Sequence, residues 1–252
     1  MPRLGLGTNL STRGNKRIRS LPFRNNYSLA FDGTNDYVAF SDIAALDGLA
    51  VFSLSVWFKS SSSGADQAIY SKGNPGGDSD GIDIFYDSEE IYVDMQTDVG
   101  NFRGNTTGNT FGADGTWYHL AVVYNGSTIV LYKDASVVKT QASVTGTIVG
   151  TSKELWIGRR HYGSDVKYFT GNMDDMAFWD VALSAADVTA IYNSGTPTDL
   201  TSAGSYDSDN SGDLQGYWKF EEGTGTTATD SSDGGNDGTI TNGAAYDDSV
   251  TA

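Results

Sequence analysis

The fold class of this chain is decided by Tyr118-His119-Leu120-Ala121-Val122-Val123-Tyr124, Asn125-Gly126 and Ser127-Thr128-Ile129-Val130-Leu131-Tyr132-Lys133. Apolar, strand-forming residues dominate both sides of the Asn-Gly pair. Asn-Gly between two apolar runs is the strongest short-range signal for a hairpin. The stretch therefore predicts an antiparallel β-hairpin.

The same kind of pattern recurs along the chain. Phe52-Ser53-Leu54-Ser55-Val56-Trp57-Phe58-Lys59 places an apolar residue at every second position, on one face of a strand. Similar runs predict strands at 27–32, 36–40, 67–72, 81–87, 90–97, 136–142, 154–159, 166–179, 214–220 and 238–246. Turns rich in Gly, Asp and Ser separate them, so the sequence predicts an all-β protein, a two-sheet antiparallel jelly-roll sandwich.

One short helix interrupts this pattern. Ser184 suits an N-cap, Asp187 stands three residues later and Gly195 closes the segment. About two helical turns are not stable alone in water, so the helix must pack on a sheet. The expected contacts are Val188, Ile191 and Tyr192.

Composition excludes several classes of protein and site. The 252 residues contain no cysteine, which excludes disulfides, thiolate metal sites and a cysteine nucleophile. No apolar run approaches the ~18 residues of a membrane span, so no membrane partner is expected. The first residues, Met-Pro-Arg-Leu-Gly-Leu-Gly, have no hydrophobic segment, and no secretory signal is predicted.

Charge is distributed unevenly along the chain. The net charge is −16, yet residues 1–26 hold six of the 16 basic residues and none of the 32 acidic ones. The acidic body should repel nucleic acid. The basic segment is predicted to be an extended arm that binds another copy of the body, which makes a homo-oligomer, or to be a solvated, disordered tail. Its charged residues are Arg3, Arg13, Lys16, Arg17, Arg19 and Arg24.

Three motifs resemble the laminin G-like jelly roll of the concanavalin A-like lectin and glucanase group. They are Tyr27-Ser28-Leu29-Ala30-Phe31-Asp32-Gly33-Thr34-Asn35-Asp36-Tyr37-Val38, the hairpin above from Thr116 onward, and Gly171-Asn172-Met173-Asp174-Asp175-Met176-Ala177-Phe178-Trp179 with the helix. They occur in the family's order and cover roughly residues 27–195. The resemblance implies one jelly roll over 27–252.

The C-terminal part resembles the family in a different order. Gly216-Tyr217-Trp218-Lys219-Phe220-Glu221-Glu222-Gly223 is similar to a segment that precedes the opening strand in many members. The resemblance implies a circular permutation, in which 196–213 is a connection and 214–252 completes the sandwich. The alternative is a truncated second domain, although 214–252 is too short to bury a core of its own.

The resemblance also implies a structural Ca²⁺ between the opening strand and the last long strand. The matching positions are Asp32, Asn35, Asp36, Asp174 and Asp175, and Ca²⁺ binds such oxygens. Strand alternation would send the last two aspartates to opposite faces, so only one should be a ligand. Alternatively, these residues cap turns.

A second candidate metal site lies in the connection. Asp207, Asp209, Ser211 and Asp213 follow the first half of an EF-hand loop, with Gly212 at position 6. Trp218 stands at position 12, where a Glu belongs, so the match is partial. A solvated acidic turn is the alternative.

Binding residues for another ligand are expected in one basic, aromatic stretch. Arg159, Arg160, His161 and Tyr162 could bind a carboxylate, a sugar or the acidic face of a neighbour, or could be plain surface. Aromatic residues available to stack on a sugar are Tyr86, Tyr92, Phe102, Trp117 and Tyr162. The glucanase pattern of acids on one strand is absent and His119 is expected to be packed, so no enzyme is predicted.

A looser resemblance concerns biological context. The basic arm, single jelly roll and tail together resemble proteins of marine bacteriophage particles. This implies a non-enzymatic virion protein, decorating the capsid or part of a fibre, that binds itself and a capsid or tail protein and leaves the cell by lysis. The alternative is a calcium-dependent, carbohydrate-binding module whose partner is a surface glycan.

Overall fold

In the computed structural model, the described residues form a fold of two antiparallel eight-stranded sheets. The structure describes residues 24–64, 66–74, 80–108, 110–162, 165–202, 204–206 and 212–250. Five of the six charged arm residues, Arg3 to Arg19, lie outside these ranges, whereas Arg24 is exposed at their start. In these ranges, no helix has the length and apolar character needed to cross a membrane.

The first sheet, sheet A, runs in the order β10-β9-β8-β3-β14-β1-β18, with β15 also paired to β14. Its strands are β1 (Ser28–Asp32), β3 (Phe52–Ser60), β8 (Tyr118–Tyr124), β9 (Thr128–Lys133), β10 (Ser136–Ala142), β14 (Thr170–Trp179), β15 (Leu214–Trp218) and β18 (Ala245–Asp247). The predicted Asn-Gly hairpin is the β8–β9 pair, in which Tyr124 lies opposite Ile129.

The second sheet, sheet B, runs in the order β16-β17-β2-β11-β4-β5-β6-β7. Its strands are β2 (Tyr37–Phe40), β4 (Gln67–Gly73), β5 (Gly81–Asp87), β6 (Glu90–Thr97), β7 (Gly100–Asn105), β11 (Leu155–Ile157), β16 (Thr227–Ala228) and β17 (Gly238–Thr241). A separate two-stranded hairpin consists of β12 (Arg159–Tyr162) and β13 (Asp165–Tyr168).

Alternation along the strands builds the core between the sheets. In β3, Phe52, Leu54, Val56 and Phe58 are completely buried in the inter-sheet core. The intervening residues of sheet A face the other way, where a second apolar cluster packs under the helix. The predicted all-β sandwich with one short helix is therefore confirmed.

The helix α1 (Ala185–Tyr192) forms with the predicted N-cap, but it is Asn193, in the left-handed conformation, that caps its C-terminus and not Gly195. Ser184 Oγ accepts a hydrogen bond from the Asp187 amide, and the Asp187 carboxylate accepts one from the Ser184 amide. Val188 and Ile191 are buried in the second cluster, while Tyr192 stacks on Trp57. A 3-10 turn (Asn193–Gly195) follows, and another (Ala44–Leu46) precedes β3.

The C-terminal segment contributes to both sheets. β15 pairs with β14 and β18 pairs with β1 in sheet A, whereas β17 pairs with β2 in sheet B. Trp218 packs its ring 4.6 Å from that of Phe40, inside the shared core. The segment is thus built into the sandwich.

Candidate functional site

A row of side chains crosses the outer face of sheet B. The register aligns Trp156 on β11 with Ser71 on β4, Asp83 on β5, Asp94 on β6 and Arg103 on β7. Neighbouring residues of these strands are buried in the inter-sheet core, so alternation turns this row away from the core. Strands lie about 4.8 Å apart, so the row spans roughly 19 Å.

Arg160, on the β12–β13 hairpin, is fixed against the middle of this row. Its side chain is 3% exposed, and its guanidinium nitrogens lie 3.4 Å from Asp83, 3.6 Å from Asp66 and 4.0 Å from Asp94. The guanidinium carbon lies 3.7 Å from the centre of the Phe85 ring. These contacts hold the hairpin on the outer face of sheet B.

Three carboxyl groups surround the single positive charge of Arg160. Burial raises the pKa of Asp83 to about 7, although the positive charge of Arg160 and the hydrogen bond from Ser71 Oγ oppose the rise. Burial also raises the pKa of Asp94, opposed by Arg103 and Arg160. Asp83 and Asp94 are buried beneath Arg160. The two carboxyls therefore help to hold the β12–β13 hairpin in place, and a substrate cannot reach them.

Arg159 lies on two aromatic rings at one side of the hairpin. Its guanidinium carbon is 4.1 Å from the centre of the Trp156 ring and 4.6 Å from that of Tyr37. All three side chains are partly exposed. Tyr168, also partly exposed, lies directly opposite Arg159 in the hairpin. We name Tyr37, Trp156, Arg159 and Tyr168 the Arg159 platform.

A second guanidinium lies on aromatic rings at the β6–β7 side of the face. Arg103 is 5.0 Å from the centre of the Tyr92 ring and 5.3 Å from that of Phe85, and these two rings stack on each other. Its Nε lies 3.5 Å from an oxygen of Asp94, and its side chain is 47% exposed. Rings and planar donors on rigid strands suit recognition of a sugar.

The structure unites some of the predicted binding residues and disperses others. Arg160 lies against the middle of the row, Arg159 lies on Trp156 at one end, and the Tyr92 ring lies against Arg103 at the other. The backbones of His161 and Tyr162 lie in β12, but their side chains are outside the described part of the structure. Tyr86 is buried in the core, Phe102 packs against the core and Trp117 lies under Lys59.

The residues of this face that sequence reasoning missed include Tyr37, Trp156 and Arg103. The signal that could have found them is alternation along β2, β11 and β7, but β7 was not recognised as a strand. Their convergence depends on strand order, which local patterns do not reveal.

The predicted opening-strand metal residues make a turn. Asp36 accepts a hydrogen bond from the Asp32 amide at 3.0 Å, and Asp32 accepts one from the Thr34 amide at 2.7 Å. Burial raises the pKa of Asp36. Asn35 accepts a hydrogen bond at its carbonyl from Asn242.

The two halves of the predicted calcium site lie apart. Asp32 pairs with Thr170, four residues before Asp174 on β14, which is a separation of about 13 Å along the strand. Their union into one site, as the sequence suggested, is not formed. Across the described ranges, no group of three or more His, Cys, Asp or Glu side chains has the geometry to hold a metal ion.

Asp174 and Asp175 are both buried at an irregularity in β14, where Asp175 has a φ of 45°. Asp175 accepts a 2.5 Å hydrogen bond from the Tyr217 hydroxyl, and burial raises the pKa of both carboxyls. Within the described chain, the Oδ2 atom of each has no hydrogen-bond partner. These two buried carboxylate oxygens are of the kind that Ca²⁺ binds.

The remaining predicted residues contribute little to a described site. Asp207, Asp209 and Ser211 lie outside the described residues, and the carbonyl of Asp213 accepts a hydrogen bond from the Asp180 amide. His119 is fully buried beside Trp57, and burial lowers its pKa to about 3. It is therefore a neutral, packed residue.

Comparison with known proteins places this architecture in a family. Residues 32–189, more than half of the chain, match the Laminin_G_3 family, described as the concanavalin A-like lectin/glucanases superfamily. A search of curated protein sequences gave no significant match.

Solved structures share the fold at low sequence identity. A putative carbohydrate binding protein from Bacteroides ovatus is 17% identical with a TM-score of 0.65; the alignment covers 90% of this chain but only 61% of that protein. The CBM40 of the Ruminococcus gnavus IT-sialidase, bound to α2,3-sialyllactose, is 14% identical with a TM-score of 0.54 and covers 66% and 96%. A SAP-like pentraxin from Limulus polyphemus is 18% identical with a TM-score of 0.52 and covers 67% and 82%. The chain belongs to the Laminin_G_3 family of the concanavalin A-like lectin/glucanase superfamily.

Proposed function

We propose that this protein is a glycan-binding module whose ligand lies on the outer face of sheet B, beside the β12–β13 hairpin. The observation that carries the proposal is the pair of guanidinium–aromatic surfaces, at Arg159 and Arg103, on either side of the fixed Arg160. Aromatic rings held by strands stack on sugars with little loss of conformational entropy, and guanidinium groups donate to hydroxyl or acidic oxygens.

The comparisons support this proposal at the level of the fold. Two of the structures named above are a putative carbohydrate binding protein and a carbohydrate-binding module with its ligand. We propose binding without cleavage, since the acids of the face, Asp83 and Asp94, are covered by Arg160. Incubation with any bound glycan should leave its length unchanged; appearance of new reducing ends would contradict this.

Removal of one stacking ring tests the proposed surface. Trp156→Ala should weaken binding to a glycan identified on an array by about tenfold or more, because ring stacking and the Arg159 support are both lost. Val137→Ala, at an exposed position of β10 in the other sheet, is the control and should bind normally. Equal binding by both variants and the wild type would place the site elsewhere.

A structural Ca²⁺ is proposed at Asp174 and Asp175, supported by their buried, unbonded Oδ2 atoms. The ion would compensate adjacent buried carboxylates, so Ca²⁺ should raise the melting temperature and a chelator should lower it. Asp174→Asn should abolish this response, and Asp32→Asn, about 13 Å away along the strand, should retain it. Identical melting curves with Ca²⁺ and with chelator would contradict the proposed Ca²⁺ site.

A second proposed role is assembly into a virus particle, where the protein would face the surroundings. It is supported by the charge contrast between residues 1–26 and the acidic remainder. Deletion of residues 1–26 should abolish self-association and co-sedimentation with particles, whereas deletion of 251–252 should not. Unchanged sedimentation of the shortened protein would contradict a role for the arm.

A further inference from the structure

Arg159 differs from the other arginines of the outer face in its charge partners. Arg160 has three carboxylates within 4.0 Å, and Arg103 has Asp94 at 3.5 Å. For Arg159, the described residues include no carboxylate within ion-pair distance, and its Nε donates to no acceptor among them. Among the arginines of this face, Arg159 is therefore the one whose guanidinium is available for an external anion.

The rings beneath Arg159 hold it ready for a ligand. Contacts at 4.1 Å with Trp156 and 4.6 Å with Tyr37 restrain the side chain and leave donors of its planar fork unused. A restrained donor loses less entropy on binding than a free one. An oxyanion with two oxygens in one plane matches the fork with two parallel hydrogen bonds.

The surroundings also offer a surface for a sugar ring. The indole nitrogen of Trp156 already donates to Glu154 at 2.9 Å, so the indole contributes its apolar face. Tyr37 meets Trp156 edge to face, with ring centres 6.3 Å apart. Tyr168 lies opposite Arg159 in the hairpin and brings a hydroxyl to the same side, because directly paired residues share a face.

We propose that the Arg159 platform binds an anionic sugar, with the carboxylate or sulfate on the Arg159 guanidinium and the sugar ring against the adjacent aromatic residues. This inference rests on the proposed glycan-binding function and names the class of its ligand.

Matched probes separate charge recognition from sugar recognition. Binding is measured by calorimetry at ~0.15 M salt for sialyllactose against lactose, oligogalacturonate against neutral galacto-oligosaccharide, and dextran sulfate against dextran. The wild type should bind at least one anionic member about tenfold or more tighter than its neutral counterpart, the effect expected of a charged hydrogen bond. The preferred pair tells whether the group is a carboxylate or a sulfate.

Two arginine variants assign the preference to one side chain. Arg159→Gln should lose the preference for the anionic probe, and Arg159→Lys should keep part of it, since lysine retains the charge without the planar fork. Lys133→Gln is the control, because that ammonium also lies over two rings, those of Tyr118 and Phe111, but is on β9 of sheet A, away from the proposed surface. Thermal melting of each variant checks that the fold is intact.

The outcomes distinguish this inference from the function on which it rests. Equal affinity for anionic and neutral members, or equal loss of preference in the Arg159 and Lys133 variants, overturns the inference and leaves glycan binding in place. Absence of binding to these probes and to a broad glycan array overturns the proposed function together with the inference. Wild-type behaviour of Arg159→Gln also refutes the assignment.

Discussion

Replacing Arg160 by Met should release the β12–β13 hairpin from sheet B and destabilise the whole domain. Asp83 and Asp94 are 1% and 4% exposed, so loss of the arginine leaves the buried Asp83 without a counter-charge and Asp94 with only the half-exposed Arg103. Breaking a buried ion pair from one side typically costs about 3–5 kcal/mol, and methionine replaces much of the lost volume. The expected loss in free energy of unfolding at pH 7.5 is therefore about 3–5 kcal/mol.

The loss should shrink in acid. Burial already raises the pKa of Asp83 to about 7 with Arg160 present, and Arg160 is the main influence that lowers it. Without Arg160 this carboxyl binds a proton at still higher pH, so at pH 5 it is neutral and needs no counter-charge. We expect the cost at pH 5 to be roughly half of that at pH 7.5 or less.

Urea titrations followed by tryptophan fluorescence at both pH values measure these losses. Arg103→Met is the matched control: its guanidinium contacts Asp94 and two rings but is 47% exposed, so its removal should cost below about 1 kcal/mol. Equal costs for the two variants, or a cost for Arg160→Met that does not change with pH, would refute the electrostatic account of the hairpin.

Three further substitutions test other parts of the account. Asp83→Asn should flatten the pH dependence of stability. In the wild type, the folded pKa of Asp83, about 7, exceeds the unfolded value, so stability is lost as the pH rises from about 4 to 7. Denaturation at several pH values measures this loss. Gly158→Ala should lower the stability more than Gly108→Ala does, by about 1 kcal/mol or more. Both glycines have φ near 80°, but only at Gly158 would an added Cβ meet a ring, 2.5 Å from Phe31. Thermal melting compares the two variants. Ser184→Ala should cost about 1 kcal/mol in urea titration through loss of the helix cap, and an unchanged midpoint would contradict the capping role.

The sequence predicts most of the sandwich because local pattern and burial agree there. The apolar residues of β3 specify their own faces, and the Asn-Gly pair marks the position of the hairpin between β8 and β9. The turn itself is centred one residue later, on Gly126 and Ser127: the Asn125 amide donates to the Thr128 carbonyl, and of the Asn-Gly pair only Gly126 has a positive φ. The 166–179 run was predicted as one strand, yet the structure divides it into β13 and β14 around Phe169, whose amide bonds to the Gly158 carbonyl. That division depends on Gly158, with its φ of 81°, and on a tertiary contact that no local pattern contains.

The candidate site was less predictable than the fold for a related reason. Arg159 and Arg160 are consecutive in sequence and were predicted together as ligand-binding residues, but the structure gives them different partners. Arg160 faces three buried or half-buried aspartates and supports the hairpin, whereas Arg159 lies on two rings at the surface. A sequence motif shows the charge of both residues; only the fold shows which charge is already compensated.

The different roles of Arg159 and Arg160 link the fold to the proposed function. An arginine that recognises a ligand must keep its donors unpaired, and an exposed side chain alone would not hold them in one geometry. Here the buried ion cluster of Arg160 fixes the backbone of β12, and the adjacent Arg159 is thereby held over Trp156 and Tyr37 without a carboxylate of its own. Loss of the ion cluster around Arg160 should therefore weaken anionic glycan binding, even though Arg160 touches no ligand. Arg160 supports the hairpin and Arg159 binds, so the two neighbouring arginines are not interchangeable.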